Sequence, residues 1–203
     1  MNQNDSYKTL ESISAPALFK EKGSKFYGYA FPIKNEEDAK RHLELLKKEH
    51  HTARHWCYAY QIGTETKSFR ANDDGEPNNS AGLPIYGQIQ SFELTNVLVV
   101  VVRYFGGTKL GVGGLIQAYK TAAQMVLESS EIVEKTIDLL IELTFEYKNM
   151  NKVMRLIKEH NLRISSQEME LNCKIILAVR KSRSTNIVSL FQSQYEVKVK
   201  ELV

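Results

Sequence analysis

The feature that most constrains this sequence is an uninterrupted apolar run at residues 97–102, in which five of the six residues are valine. β-Branched side chains have restricted χ1 angles and fit the pleated surface of a sheet. A strand with one solvated face would alternate apolar and polar residues, whereas this run contains no polar residue. The run therefore predicts a strand that is buried on both faces.

A glycine-rich loop follows this strand, because residues 106–114 contain five of the eleven glycines in the chain. Beyond the loop, apolar residues recur at helical spacing and predict a helix that begins near Gly114; they are Leu115, Ile116, Tyr119, Ala122, Ala123 and Val126. Strand, glycine loop and helix form a layout that is typical of anion sites, since glycines let the backbone approach a ligand and the first helical amides have no internal partner.

Two interpretations of this loop stay open. In the first, its amides bind a phosphate or carboxylate, and Arg103 and Lys109 add charge on either side. In the second, the glycines only permit a tight turn and close packing of strand on helix. The spacing matches neither the GxGxxG nor the GxxxxGK[ST] motif, so it does not indicate Rossmann or Walker chemistry.

The segment RYFGGTKLGVGGLIQAY resembles the signature of the IMPACT/YigZ family (UPF0029). KGSKF, HWCYAYQIG and DDGEPNNSAGLPI support this resemblance and occur in the order of the family. The resemblance implies an α+β protein with two domains. Residues 1–132 would form a domain like ribosomal protein S5 domain 2, and residues 133–203 a DUF1949-type domain likened to a C-terminal domain of elongation factor G.

The C-terminal segment also has a fold signal of its own. Its apolar periodicity predicts strand, helix, two strands, helix and strand, the βαββαβ order of a ferredoxin-like domain. The net charge is +3, and the whole excess lies in residues 138–203, where 11 basic residues face 8 acidic ones. Such an excess is compatible with nucleic-acid binding but is too small to indicate it by itself.

Composition excludes several classes of protein. No apolar run approaches the roughly 20 residues of a membrane helix, and the polar N-terminus lacks the core of a signal peptide. The two cysteines, Cys57 and Cys173, are far apart in sequence, which argues against a disulfide framework and favours a cytoplasmic location.

We expect the first five residues to be frayed, and residues 68–85 to form a long polar loop.

Three groups of residues are candidates for chemistry. Asp73, Asp74 and Glu76 are carboxylates close enough in sequence for a Mg²⁺ site, although Asx turn chemistry explains the same residues; no other cofactor is expected. A second candidate is zinc bound by the histidines at 50, 51 and 55 with Cys57, but their spacing matches no known zinc motif. Ser80 with His55 as base is a hydrolase hypothesis that lacks the G-x-S-x-G elbow.

We rank three functions. The first is a translation-associated regulator that binds RNA or the ribosome through the glycine loop, with Tyr27, Tyr29 or Tyr104 stacking on bases if they are exposed. The second is a module that binds a translation-related protein, and the third an enzyme acting on a phosphorylated small molecule. The predicted anion- or nucleic-acid-binding residues are Lys22, Lys25, His55, Arg103, Gly106, Gly107, Lys109, Gly113 and Gly114.

The resemblance also bears on the regulatory route. Eukaryotic IMPACT proteins regulate translation initiation through an additional N-terminal RWD domain that engages a partner. This sequence starts directly with the shared domain, so we expect that route not to carry over.

Overall fold

A computed structural model describes residues 5–202, and these residues form two compact units. The N-terminal unit is Tyr7–Lys135, and the C-terminal unit consists of residues 136–202 with Asp5 and Ser6. The predicted boundary after residue 132 falls inside a strand, β7 (Ile132–Thr136). The prediction of an α+β chain with two domains is confirmed.

The N-terminal unit contains seven strands and three helices among its described residues. In chain order they are β1 (Ser6–Leu10), β2 (Ala17–Glu21), β3 (Ser24–Pro32), α1 (Glu36–Glu49), β4 (His55–Ile62), β5 (Ser68–Asn72), α2 (Gly82–Ser91), β6 (Val97–Tyr104), α3 (Gly111–Glu128) and β7. Five strands form an antiparallel sheet in the order β2-β3-β6-β4-β5, and β1 pairs with β7 in a sheet of two strands.

The valine-rich strand β6 lies at the centre of the five-stranded sheet, and residues 97–102 are all fully buried. Its side chains alternate between two cores. Val97, Val99 and Val101 pack with α2 and α3, whereas Leu98, Val100 and Val102 belong to the core that includes residues of α1. A helix layer on each face explains why the strand carries no polar alternation before Arg103.

The prediction of a long loop at residues 68–85 is wrong. Its first five residues form the edge strand β5, which pairs with β4, and its last four residues already belong to α2. The signal for β5 is short, and its residues are half-buried or exposed, so its apolar pattern is weak. Likewise, α3 begins at Gly111 rather than near Gly114.

The C-terminal unit has the predicted βαββαβ order. Its elements are β8 (Asp138–Glu146), α4 (Met150–Glu159), β9 (Arg163–Glu168), β10 (Asn172–Arg180), α5 (Lys181–Gln192) and β11 (Val197–Leu202). The antiparallel sheet has the strand order β11-β8-β10-β9, as in ferredoxin-like domains. Alternate residues of β8 and β10, such as Leu143 and Ile175, form one core with both helices.

Asp5 contradicts the expectation that the first five residues are frayed, while Met1 to Asn4 lie outside the described residues. The Asp5 carboxylate accepts hydrogen bonds from Arg180 Nε at 2.7 Å and Nη2 at 2.8 Å, and its carbonyl accepts one from the amide of Ile137. The hydrogen bond from Arg180 lowers the pKa of Asp5 well below its usual 3.8. In the described part of the chain, no helix is long and apolar enough to cross a membrane.

Candidate functional site

Two turns meet at the end of β6. Lys22 and Gly23 form the two-residue turn between β2 and β3, with φ angles of 44° and 79°. A Cβ atom on Gly106 would lie 1.9 Å from the carbonyl carbon of Gly23. This contact is between backbones, so only glycine fits at position 106 without a shift of the hairpin. The hairpin turn and the glycine loop are therefore one continuous surface.

Some amides of the glycine loop are hydrogen-bonded within the protein, and others are open, that is, without an acceptor. The amide of Gly106 donates to Ser24 Oγ at 3.1 Å, and Ser24 is fully buried. The amides of residues 107–110, in contrast, have no hydrogen-bond acceptor within the described part of the protein. No side chain caps α3, and no acidic residue lies in its first turn. Four amides without an acceptor, on residues that are exposed or half-buried, thus precede a helix N-terminus, which favours negative charge.

The N-terminus of α2 shows how the same chain satisfies such a terminus internally. Asp73 Oδ1 accepts hydrogen bonds from the amides of Ala81 and Gly82 at 2.9 and 2.8 Å. Asp73 Oδ2 accepts a further bond from the amide of Asn79 at 2.8 Å. A carboxylate of the chain therefore neutralises the N-terminus of α2, whereas no side chain caps the N-terminus of α3.

Three lysines surround the hairpin turn. The β2–β3 register places Lys20 directly opposite Lys25, and Lys22 occupies the turn between them. All three side chains are exposed, and none forms an ion pair with a residue in the described range 5–202. Like charges directly opposite each other on paired strands are destabilising. An external anion would relieve this repulsion.

A cleft of about 240 Å³ opens beside these lysines and is lined by Gly23, Lys25, Tyr27, Tyr104 and Phe105. Tyr27 and Tyr104 are half-buried, and their rings meet edge to face at 5.8 Å. Phe105 is 43% exposed. The cleft thus combines aromatic surface with a cationic rim.

The hydroxyl of Tyr104 is tied into the protein. It forms a 2.8 Å hydrogen bond with His50 Nδ1, and His50 Nε2 forms a 2.5 Å bond with the hydroxyl of Tyr29. Burial raises the pKa of Tyr29 to about 12, so the Tyr29 end of this chain of bonds is a neutral phenol at physiological pH. Tyr29 is only 8% exposed and cannot stack on a base, which corrects that part of the prediction.

Behind the cleft, on the opposite face of the sheet, lies a buried polar network. Glu76 Oε1 accepts hydrogen bonds from Arg103 Nη1 at 2.5 Å and from the Tyr119 hydroxyl at 2.8 Å. His55 Nε2 lies 4.0 Å from the same oxygen. The Arg103 guanidinium also lies 5.4 Å from the Phe26 ring and 5.5 Å from the Phe105 ring. This network connects the loop after β5 with β6 and α3.

Comparison with known proteins assigns the family. Residues 22–127 match the model of the Impact N-terminal domain, which is more than half of the chain. The chain belongs to the IMPACT family. An IMPACT family member of Haemophilus influenzae is 34% identical over 175 residues, which are 85% of this chain and 83% of the relative. YvyE of Bacillus subtilis is 34% identical over 154 residues, covering 76% and 70%.

A solved structure supports the fold of both units of this IMPACT family member. A crystal structure described only as that of a hypothetical protein superimposes with a TM-score of 0.74 and covers 98% of both chains. The sequence identity is 24%, so this similarity concerns the fold alone. The fold likeness extends over both units, beyond the segment that carries the family signature.

Several predicted site residues of this IMPACT family member have partners inside the protein and are not available to bind an anion. Arg103 is 5% exposed, and its charge is paired with Glu76, so it does not project into solvent. His55 Nδ1 donates to the carbonyl of Asp74 at 2.9 Å, which turns the ring towards the buried network. The amide of Gly106 is taken by Ser24. The alternation of β6 is the cause, because Arg103 shares a face with Val101 and the core.

Other predicted residues remain candidates. Lys22, Lys25, Gly107 and Lys109 are exposed around the turn and the loop. Gly113 and Gly114 lie in the first turn of α3, exposed and half-exposed respectively. Their role in binding stays a prediction.

The three carboxylates of the predicted Mg²⁺ site have separate structural partners. Asp73 caps α2, Asp74 Oδ2 accepts a bond from the amide of Trp56 at 2.7 Å, and Glu76 pairs with Arg103. Within the described residues, no three His, Cys, Asp or Glu side chains are grouped to hold a metal ion. The Asx-turn alternative describes this loop better, and its carboxylates are engaged by backbone amides and by Arg103.

The zinc and hydrolase hypotheses also fail on geometry. His50 bonds to two tyrosines, whereas His55 bonds to a carbonyl, so the histidines do not converge. Ser80 is fully buried, and its hydroxyl donates to the carbonyl of Pro77. Cys57 is fully buried, and burial raises the pKa of its thiol, which disfavours the nucleophilic thiolate.

Sequence reasoning missed Lys20, Phe105 and Tyr119. The signal for Lys20 is present in the segment KEKGSK, because a two-residue turn at Lys22-Gly23 places Lys20 opposite Lys25. The role of Tyr119 has no such signal. Its spacing in α3 marks it only as a core residue, and only the tertiary structure brings its hydroxyl to Glu76.

Proposed function

We propose that this IMPACT family member binds RNA, as part of translational regulation, through the β2–β3 hairpin and the glycine loop. The observation that carries the proposal is the set of three exposed lysines, Lys20, Lys22 and Lys25, which have no acidic partner in the described part of the chain. The backbone of their hairpin turn contacts Gly106, the residue that precedes the open amides of residues 107–110. Lysines and backbone amides are the usual partners of nucleic-acid phosphates.

The C-terminal sheet offers a poorer surface for RNA. Its face away from α4 and α5 carries no aromatic side chain among the described strand residues, so bases have nothing to stack on. Charges on this face are mixed, as in the ion pair between Lys174 and Glu142 at 3.3 Å. We therefore assign binding to the N-terminal unit. The link to translation rests on the role that the family resemblance implies.

The test is the salt dependence of binding. The affinity for a fluorescein-labelled 12-nucleotide RNA is measured by anisotropy at 50 and 200 mM salt. Three lysine–phosphate contacts predict an affinity loss of about 20-fold between these concentrations, since each contact on a single strand contributes a slope of about −0.7. The variant Lys20→Gln, Lys22→Asn, Lys25→Gln should bind weakly and lose most of this dependence.

The choice of side chains protects the fold. Asparagine tolerates the positive φ of position 22, so the variant isolates charge from backbone strain. The matched control is Lys120→Gln, because Lys120 is an exposed lysine of α3 beyond its N-terminal turns. The proposal is rejected if the wild-type chain does not bind at 50 mM salt, or if the hairpin variant and the control bind equally well.

A further inference from the structure

The cleft beside the hairpin lies on the α1 face of the sheet. Tyr27 and Tyr104 belong to the core on this face, whereas Phe26 packs into the core on the other face. Lys20 and Lys25 form a cross-strand pair, and Lys25 in turn pairs with Tyr104. Directly opposite residues on paired strands share a face, so both lysines border the aromatic walls. The charged and the aromatic side chains therefore border the same cleft.

The one acidic residue of the β2–β3 hairpin, Glu21, lies on the other face of the sheet. Glu21 pairs with the buried Ser24, so it lies on the face opposite Lys20 and Lys25. On the α1 side, the exposed carboxylate of Glu49 lies 3.8 Å from His50 Nε2, and neither lysine forms an ion pair within the described residues. The rim of the cleft therefore carries an excess of positive charge, which complements a polyanion.

The aromatic walls are fixed before any ligand arrives. The bond between Tyr104 and His50 orients one ring, and its edge-to-face contact with Tyr27 orients the other. The Arg103 guanidinium lies over the Phe105 ring at 5.5 Å from its centroid, and Phe105 is 43% exposed beside the cleft. Arg103 is itself fixed by Glu76. Rings that are ordered in advance bind a planar group at low entropic cost.

The size of the cleft restricts the ligand further. Pockets for drug-sized molecules occupy about 300–1,000 Å³, so a volume of about 240 Å³ suits one ring system. In an RNA duplex the bases are paired and stacked, and they cannot enter such a cleft. An unpaired base can stack on exposed aromatic rings while its phosphates remain near the lysines.

We infer that this cleft binds one unpaired base of single-stranded RNA, with Phe105 as the stacking residue and Arg103 as its positioning residue. The inference rests on the proposed RNA binding and adds the state of the RNA. Phosphates lie at the hairpin lysines and the loop amides, and the base enters between the tyrosines and Phe105. Duplex RNA makes only the phosphate contacts.

The experiment compares two forms of RNA. The affinities of the full chain for a 12-nucleotide single strand and for the duplex of the same sequence are measured at 100 mM salt. We expect the single strand to bind at least tenfold more tightly, since stacking on one aromatic side chain contributes about 1–3 kcal/mol. Phe105→Leu should remove this preference and leave duplex binding unchanged, and Phe105→Trp should retain it.

The control substitution is Phe69→Leu. Phe69 is 55% exposed on β5, the strand at the opposite edge of the same sheet. A second readout is the fluorescence of Trp56, the only tryptophan of the chain. Trp56 and Tyr27 both pair with Val102, which puts Trp56 about 10 Å from Tyr27 on the same face. The single strand should change this fluorescence more than the duplex does.

The outcomes separate this inference from the proposed function. Equal binding of single strand and duplex, with both weakened by the lysine substitutions, overturns the inference and retains the proposed function. A Phe105→Leu variant with an unchanged melting temperature and an unchanged preference for the single strand also overturns it. If a single-stranded DNA of the same sequence binds more tightly than the RNA, the base that enters the cleft does not come from RNA, and the inference is overturned.

Discussion

The Glu76 carboxylate and the Arg103 guanidinium form a buried ion pair that joins the loop after β5 to the central strand β6. Their side chains are 4% and 7% exposed, and Tyr119 donates a further hydrogen bond to the same carboxylate oxygen. Such a pair need not stabilise the fold relative to apolar residues, but the loss of one partner leaves an uncompensated buried charge. The pair therefore makes the position of the loop depend on both residues.

We predict that Glu76→Met lowers the free energy of unfolding of the N-terminal unit by about 3–5 kcal/mol. The reason is that Arg103 and the Tyr119 hydroxyl would both lose their acceptor in the core. The measurement is urea unfolding followed by Trp56 fluorescence, which reports on this unit alone because Trp56 is the only tryptophan.

The control is the triple variant Glu76→Met, Arg103→Met, Tyr119→Phe, which removes the carboxylate together with both of its hydrogen-bond donors. It should be more stable than Glu76→Met alone, because neither donor is left unpaired in the core. Equal destabilisation of the two variants would show that packing, and not the unpaired charge, determines the loss.

Two glycines of the segment 106–114, one in the loop and one in α3, should respond in opposite ways to substitution by alanine. Gly106→Ala places a Cβ atom 1.9 Å from the backbone of Gly23, so it should lower the free energy of unfolding by about 1–3 kcal/mol or more and weaken RNA binding. At Gly113 a Cβ atom meets no other atom within 4 Å, and the residue lies in α3. Gly113→Ala should therefore stabilise the helix by up to about 1 kcal/mol.

Thermal melting and RNA anisotropy of the two variants check this prediction. Gly113→Ala keeps every backbone amide of the loop, so its RNA affinity should equal that of the wild type. If Gly113→Ala weakened binding as much as Gly106→Ala, the backbone contact between hairpin and loop would not explain the effect.

The interaction of Asp5 with Arg180 predicts a pH-dependent contribution to the stability of the C-terminal unit. The pKa of Asp5 is lowered in the folded state, so its contribution is fully present above about pH 4, near the ordinary pKa of 3.8, and is lost as the pH falls through the lower folded value. Asp5→Asn should lower the melting temperature of this unit at pH 7, and the difference from the wild type should shrink below pH 3.8.

Glu146→Gln is the control for this titration. Glu146 pairs with Lys148, but both side chains are more than 60% exposed, and such surface pairs contribute little. Its melting temperature should follow that of the wild type from pH 7 to pH 3. A constant difference between Asp5→Asn and the wild type over this range would contradict the prediction.

Much of the fold follows from local pattern. The valine run predicts the central strand, and the periodicity of residues 137–202 predicts the βαββαβ order, because burial on one face or two imposes a pattern on the residues of each element. Strands whose residues have little burial pattern were not predicted, for the same reason. β5 is half-buried or exposed along its length, so its pairing with β4 depends on backbone hydrogen bonds that leave little trace in the sequence.

The family signature, the glycine loop and the lysines at the hairpin turn can all be recognised in the sequence. Which of the charges are available to a ligand depends on the folded structure. Arg103 and Lys25 are both basic residues near the loop, yet the first is paired with Glu76 inside the core and the second is exposed at the cleft. Adjacent residues of a strand point to opposite faces of the sheet, and only the packing of distant elements determines which face holds a carboxylate.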